Sequence, residues 1–134
     1  MNAVDTNVLI YAHDSRDPIK QEKAVALIGS LTNGVLLWQV ACEYIAASRK
    51  LAAYGFSQQQ AFNHLQQLQE VWRPFFPNWS VLERAEMLMA TGNLSLWDAM
   101  IVAACVESGV DTLYSEDFDS STSVLTGVTV INPF

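Results

Sequence analysis

The sequence predicts an α/β fold: a three-layer α/β/α sandwich around a central, mainly parallel sheet. Short apolar, strand-like runs alternate with helix-like segments along the whole chain. Helical segments of about 10–15 residues between strands are the signature of parallel crossovers, which cover a sheet on both faces. One late segment, centred on Ala99–Val106, is apolar nearly all round, the pattern of a helix buried inside a domain. With 134 residues, 51% of them hydrophobic, the chain forms one domain, 1–134, able to bury a core without disulfide or metal staples.

The elements follow in order. Ala3-Val4, Asp5 and then Val8-Leu9-Ile10 read as a short buried strand and a turn. Asp17-Pro18 starts a helix, with Asp as N-cap and Pro at the first helical position. Ala24, Leu27, Ile28 and Leu31 then share one helical face, and Asn33-Gly34 ends it. Val35-Leu36-Leu37-Trp38 is a fully buried strand, followed by a helix from Gln39 to Tyr54 that Gly55 closes. Ser57 with Gln60 makes a capping box for a polar helix whose apolar stripe is Ala61, Leu65, Leu68 and Trp72. Pro74 breaks that helix, and Phe75-Phe76 forms a short strand. Ser80 with Glu83 reads as a second capping box for a helix that stops before Gly92. Ser95 opens the buried helix, Gly109 ends it, and Thr112–Tyr114 and Val128–Ile131 are the last strands. The Ser/Thr-rich stretch Asp119–Thr126 has no period and is assigned no element.

Several function classes drop out. The longest apolar run is eight residues, against about 20 for a membrane span. No basic, apolar leader is visible at the start, so the expectation is a cytoplasmic protein that meets no membrane. Cys42 and Cys105 are too few for a disulfide framework or a thiolate cage and read as reduced core residues. The net charge is −7, and all of it lies beyond Arg84, where seven acids stand with no Lys or Arg. Such a balance argues against binding nucleic acid, unless the carboxylates hold cations that reverse the local sign.

In parallel α/β folds the site lies at the carboxyl ends of the strands. Asp5 directly follows Ala3-Val4, and Asp117 follows Thr112–Ser115. Glu43 lies one turn into the helix after the Val35–Trp38 strand, and Asp98 in the first turn of the buried helix. Acids in first turns suit the helix dipole whatever their role. Four carboxylates on one sheet edge repel one another unless cations neutralise them, and oxygen-only donors suit Mg²⁺ or Mn²⁺.

The residues around these acids resemble PIN-domain nucleases. Val4-Asp5-Thr6-Asn7-Val8-Leu9-Ile10 is similar to that family's opening signature, and Glu43 in Val40–Tyr44 to its second acidic position. Leu96-Trp97-Asp98-Ala99-Met100-Ile101 is similar to the third, and Ser115-Glu116-Asp117 to the fourth. The ending Val130–Phe134 is similar to the tail of many bacterial members. The resemblance implies a metal-dependent endoribonuclease in which Asp5, Glu43, Asp98 and Asp117 hold Mg²⁺ or Mn²⁺, a bound water attacks the phosphodiester, and products carry 5′-phosphate and 3′-hydroxyl ends. Members of this length are mostly VapC-type toxins, so it further implies an RNA substrate, a small antitoxin protein and a homodimer or higher oligomer. Glu116 and Asp119 stand as alternatives to Asp117.

Thr6, Asn7 and Ser115 are supporting candidates, able to hydrogen-bond the acids or to serve only in local turns. His13 reads as a surface loop residue, because a metal removes the need for a general base, and His64 as solvated. The four tryptophans read as core, with Trp97 left open as a base-stacking surface. Arg16, Lys20, Lys23, Arg49 and Lys50 are the cations that could ring the site; Arg49 and Lys50 either touch RNA backbone or are simply solvated. A haloacid-dehalogenase-like phosphatase or a phosphoacceptor receiver would need a late lysine, and none follows Lys50. The remaining alternatives are a catalytically inactive PIN-like binding or regulatory module and an acidic mimic of nucleic acid.

Overall fold

A computed structural model describes every residue except Ser120. Strand β1 (Asn2–Val4) is followed at once by helix α1 (Thr6–Tyr11), then α2 (Pro18–Ser30), β2 (Val35–Leu37) and α3 (Trp38–Ser48). A 3-10 helix, Arg49–Tyr54, extends α3 and ends at Gly55, whose φ of 88° needs a residue without a Cβ penalty. The chain continues through α4 (Gln58–Val71), β3 (Arg73–Phe75), α5 (Trp79–Thr91), α6 (Leu96–Ser108), β4 (Thr112–Tyr114), α7 (Ser121–Thr126) and β5 (Thr129–Ile131).

All three strand pairings are parallel, as the crossover lengths require. β1 pairs with β4, aligning Val4 with Tyr114, and β4 pairs with β5. β2 pairs with β3, and a parallel bridge between Asn2 and Gly34 brings that pair alongside β1. The resulting order is β3-β2-β1-β4-β5. The chain leaves β1 toward β2 and later returns to its other side at β4, so the order reverses at β1. Such a switch point opens a crevice at the carboxyl ends of the strands.

The core is continuous through the sheet and both helical layers. Val4, Val35, Leu37 and Leu113 from the strands meet Val8, Leu9, Val40, Tyr44, Ile101, Val102 and Cys105 from the helices. Each fully buried large side chain contributes on the order of 1.5–3 kcal/mol, so α1, α3 and α6 are fixed firmly on the sheet. Gly34 permits the closest approach in this layer: a Cβ there would lie 2.5 Å from the Trp72 ring, which is itself buried at the end of α4. Among the described residues no helix is long and apolar enough to cross a membrane.

The expected capping box is present, with Ser57 Oγ accepting from Gln60 N at 3.1 Å and Ser57 N donating to Gln60 Oε1 at 2.8 Å. Asp17 caps α2 and Ser95 caps α6, as the sequence indicates. Several expectations need correction. α4 ends at Val71, and β3 is Arg73–Phe75, with Pro74 inside the strand and Phe76 beyond it. Val8-Leu9-Ile10 is helical: Asp5 is an extended N-cap whose carboxylate accepts from Thr6 N, so the chain turns into α1 as soon as β1 ends. Trp38 is not the last residue of a buried strand but the first of α3, 51% exposed. Asn78, not Ser80, caps α5; its Oδ1 accepts from Val81 N at 3.3 Å, which places Ser80 inside the helix. Cys42 is exposed rather than buried, while Cys105 lies in the core. Within the stretch Asp119–Thr126, Ser121–Thr126 form α7, and Ser120 lies outside the described residues.

Candidate active site

Asp5 leaves the carboxyl end of β1 beside the switch point, and Ser115 leaves the adjacent end of β4. Both are buried. The Asp5 carboxylate accepts from Thr6 N through Oδ1 and from the Ser115 hydroxyl through Oδ2, both at 2.7 Å. Ser115 Oγ in turn accepts from Asp117 N at 3.0 Å, tying the β4 exit to Asp5. Asn7 Nδ2 donates to Asp117 Oδ2 at 2.9 Å. Thr6 Oγ1 donates to Glu43 Oε2 at 2.7 Å, joining α1 to α3. Asp98 sits in the first turn of α6, its backbone N–H donating to the Ser95 hydroxyl at 3.2 Å.

Asp5 and Asp98 each feel the charges of Glu43 and Asp117. Burial pushes the Asp5 carboxyl up to about 6 against the hydrogen bonds from Ser115 and Thr6, and the charges of Asp117 and Glu43 push it the same way. Asp98 is also raised, first by burial and then by Asp117 and Glu43. The salt bridges of the described residues involve none of the four. The carboxylates stand within reach of one another's charge without closing on a common point: among the described residues no three His, Cys, Asp or Glu side chains are gathered closely enough to chelate a bare ion. Neutral donors on Thr6, Asn7 and Ser115 hold three of them in place. Asn7 Oδ1 is buried and has no hydrogen-bond partner among the described residues, while its Nδ2 donates to Asp117. A desolvated, unpaired oxygen acceptor amid unneutralised carboxylates is costly as it stands. That donor set fits a hydrated hard cation.

The model of the PIN-domain family matches residues 3–122, a span that takes in all four acids. The chain belongs to the PIN-domain family. Solved structures share its fold at low identity. A toxin–antitoxin complex from Klebsiella pneumoniae is 20% identical with a TM-score of 0.70, covering 100% of this chain and 98% of that one. The sarcin–ricin loop cleaving toxin VapC20 from Mycobacterium tuberculosis is 19% identical with a TM-score of 0.70, covering 93% and 95%. FitAcB from Neisseria gonorrhoeae is 18% identical with a TM-score of 0.67, covering 99% and 98%. A search of curated proteins gave no significant match.

Within this PIN domain the two stand-ins for Asp117 are engaged elsewhere. Glu116 accepts from Lys20 Nζ at 2.9 Å and from the Tyr11 hydroxyl at 2.7 Å. Asp119 accepts from Ser121 N at 2.8 Å at the start of α7. Asp117 alone of the three is joined to the cluster, through Asn7 and Ser115. Of the candidate cations, Arg16 is held by Asp14 and lies over the Tyr54 ring, and Lys20 by Glu116. Arg49 and Lys50 are exposed on the 3-10 helix.

His13 and His64 are not the solvated residues their positions suggested. His13 stacks on Phe56 with ring centroids 4.0 Å apart and nearly parallel planes. Its Nε2 lies 3.1 Å from His64 Nδ1, which is 3.2 Å from the Tyr44 hydroxyl. Burial, then the neighbouring His64, depresses His13 to about 4, which suits a neutral, half-buried imidazole. The tryptophans also depart from expectation: only Trp72 is core, while Trp38, Trp79 and Trp97 are mostly exposed. Trp97, 62% exposed, adjoins Asp98 in α6. One residue of the site passed unnoticed in the sequence. Gln39 donates to Glu43 Oε1 at 2.7 Å, and the only signal for it was the i, i+4 spacing on one helix.

Proposed function

We propose that this PIN domain is a divalent-metal-dependent endoribonuclease and the toxin of a toxin–antitoxin pair. The observation that carries the reading is the set of four carboxylates at the switch point, mutually repelling and free of salt bridges among the described residues. Asp5, Glu43, Asp98 and Asp117 would hold Mg²⁺ or Mn²⁺. When bound, such an ion supplies a water acidic enough to attack at neutral pH and positive charge for the phosphate oxygens. The chain's own residues do the positioning. Ser115 and Thr6 fix both oxygens of Asp5, Thr6 fixes Glu43, and Asn7 fixes Asp117. Trp97 offers an exposed indole face for an unpaired base next to Asp98. Arg49 and Lys50 supply backbone contacts that the acidic site itself does not.

The toxin half of the reading is supported by the toxin–antitoxin complex from Klebsiella pneumoniae among the structures of like fold. A partner that brings Arg or Lys to the carboxylates would oppose cation binding. An apolar groove of about 560 Å³ lies along α3, α4 and β3, lined by Trp38, Phe62, Phe75 and Phe76 among others. It suits an antitoxin helix. Ile19 and Val25 on α2 are exposed but do not line this groove. Trp79, Leu82 and Met89 on α5, with Leu96, line a shallow apolar surface for a second copy.

The test is RNA cleavage by the purified chain, using total RNA from its native host. Cleavage is expected with Mg²⁺ or Mn²⁺, to be abolished by chelator, and to leave 5′-phosphate ends. Cleavage that continues unchanged in chelator would overturn the metal-dependent reading.

A further inference from the structure

Gln39 lies in the first turn of α3, one turn ahead of Glu43. Its Nε2 donates twice, to Glu43 Oε1 at 2.7 Å and to the backbone carbonyl of Trp97 at 2.9 Å. Both partners only accept, so turning the amide over would face its oxygen toward two oxygens; the amide orientation is therefore fixed by its surroundings. The Trp97 carbonyl belongs to the peptide unit that carries Asp98 N–H, in the first turn of α6. One side chain thus links the helix bearing Glu43 to the turn bearing Asp98.

The other oxygen of Glu43 accepts from Thr6 Oγ1. The carboxylate is clamped at both ends, each time by a neutral donor. A neutral donor orients a carboxylate while leaving its negative charge available, whereas Lys or Arg at position 39 would satisfy the same acceptors and cancel that charge. From this geometry we propose that Gln39 is a positioning residue of the metal site, setting the rotamer of Glu43 and its placement relative to Asp98 through the α3–α6 contact. The proposal rests on the reading of the four acids as a cation site. Partners that orient metal ligands typically change affinity by about 10–100-fold when removed.

The test measures equilibrium Mn²⁺ binding to the full chain alongside thermal melting. Gln39→Met keeps the length of the side chain and removes the donor. It should weaken Mn²⁺ binding by about 10-fold and lower cleavage at limiting Mn²⁺, with recovery as Mn²⁺ is raised. In a Glu43→Gln background the same change should cause no further loss, because the ligand that Gln39 orients is already gone. Gln39→Lys retains donors for both acceptors; it should preserve the melting temperature and still weaken Mn²⁺ binding at least as much. Wild-type affinity in both position-39 variants, or an equal loss with and without Glu43, would overturn the proposal. A wild-type chain that binds no Mn²⁺ would instead overturn the cation site itself, which the wild-type titration shows directly.

Discussion

Asp5→Asn is expected to remove RNA cleavage and, at the same time, to make the metal-free protein more stable. The loss of cleavage should be at least about 100-fold, since even the partners of metal ligands are worth about 10–100-fold. The gain in stability follows from burial. Asp5 is 4% exposed, and its carboxyl is pushed from 3.8 to about 6 in the folded protein. An acid with a raised folded value favours its protonated form in the fold. Above pH 6 the folded chain therefore carries an ionised group it disfavours, at a cost of up to about 3 kcal/mol, and the cost disappears as pH falls toward 3.8. Asn has nearly the same shape, can still accept from Thr6 N, and carries no charge. Urea denaturation in chelator at pH 7.5 should show Asp5→Asn more stable than wild type by about 1–3 kcal/mol, with the difference shrinking near pH 4. A variant that loses stability as well as cleavage would show Asp5 to be a structural residue.

Acidification should expose His13 as a second, opposing influence. Its folded value is depressed from 6.5 to about 4, so above pH 6.5 it is neutral in both states and contributes nothing. Below pH 6.5 the unfolded chain takes up a proton that the folded chain refuses, and stability falls until about pH 4. His64 is lowered by burial and acts in the same direction. Asp5 gains stability over much of the same window, so the two slopes offset each other in the wild-type protein. Single variants separate them. From pH 7 to 4.5, Asp5→Asn should lose stability relative to wild type. His13→Gln, which keeps a polar group that can donate to or accept from His64, should gain stability relative to wild type. Unfolding midpoints at the two pH values check this, and changes of the same sign in both variants would contradict the assignment.

Much of the fold was legible because its signals are local. Asp17-Pro18, the Ser57–Gln60 box, Ser95 and Gly109 mark their helix ends by capping chemistry that needs no tertiary context. The exceptions arise where neighbours decide. Val8-Leu9-Ile10 is equally apolar as strand or helix, and only the N-cap role of Asp5 selects helix. Trp38 continues the apolar run of β2, yet the strand ends at Leu37 and leaves the indole on the surface against Phe76, with centroids 5.4 Å apart. Asn78 displaces Ser80 as cap, since both are competent N-cap residues two positions apart.

The four acids could be proposed from their places after strands and in first turns; in the structure Asp5 and Asp98 each feel the charges of Asp117 and Glu43. Their wiring could not be named. The links from Thr6 to Glu43, Asn7 to Asp117 and Ser115 to Asp5 span 37, 110 and 110 residues, and depend on the order of the sheet. The same holds for the His13–His64 contact across 51 residues, which turns two nominally solvated histidines into a half-buried pair.

The proposed cation site needs Asp5, Glu43, Asp98 and Asp117 together. Equilibrium Mn²⁺ binding to the purified chain, wild type against Asp5→Asn, Glu43→Gln, Asp98→Asn and Asp117→Asn, is the decisive measurement. Saturable binding by the wild type, weakened by about 10-fold or more in each of the four variants, is the expected result. No saturable binding by the folded wild type, or undiminished binding in all four variants, would contradict it.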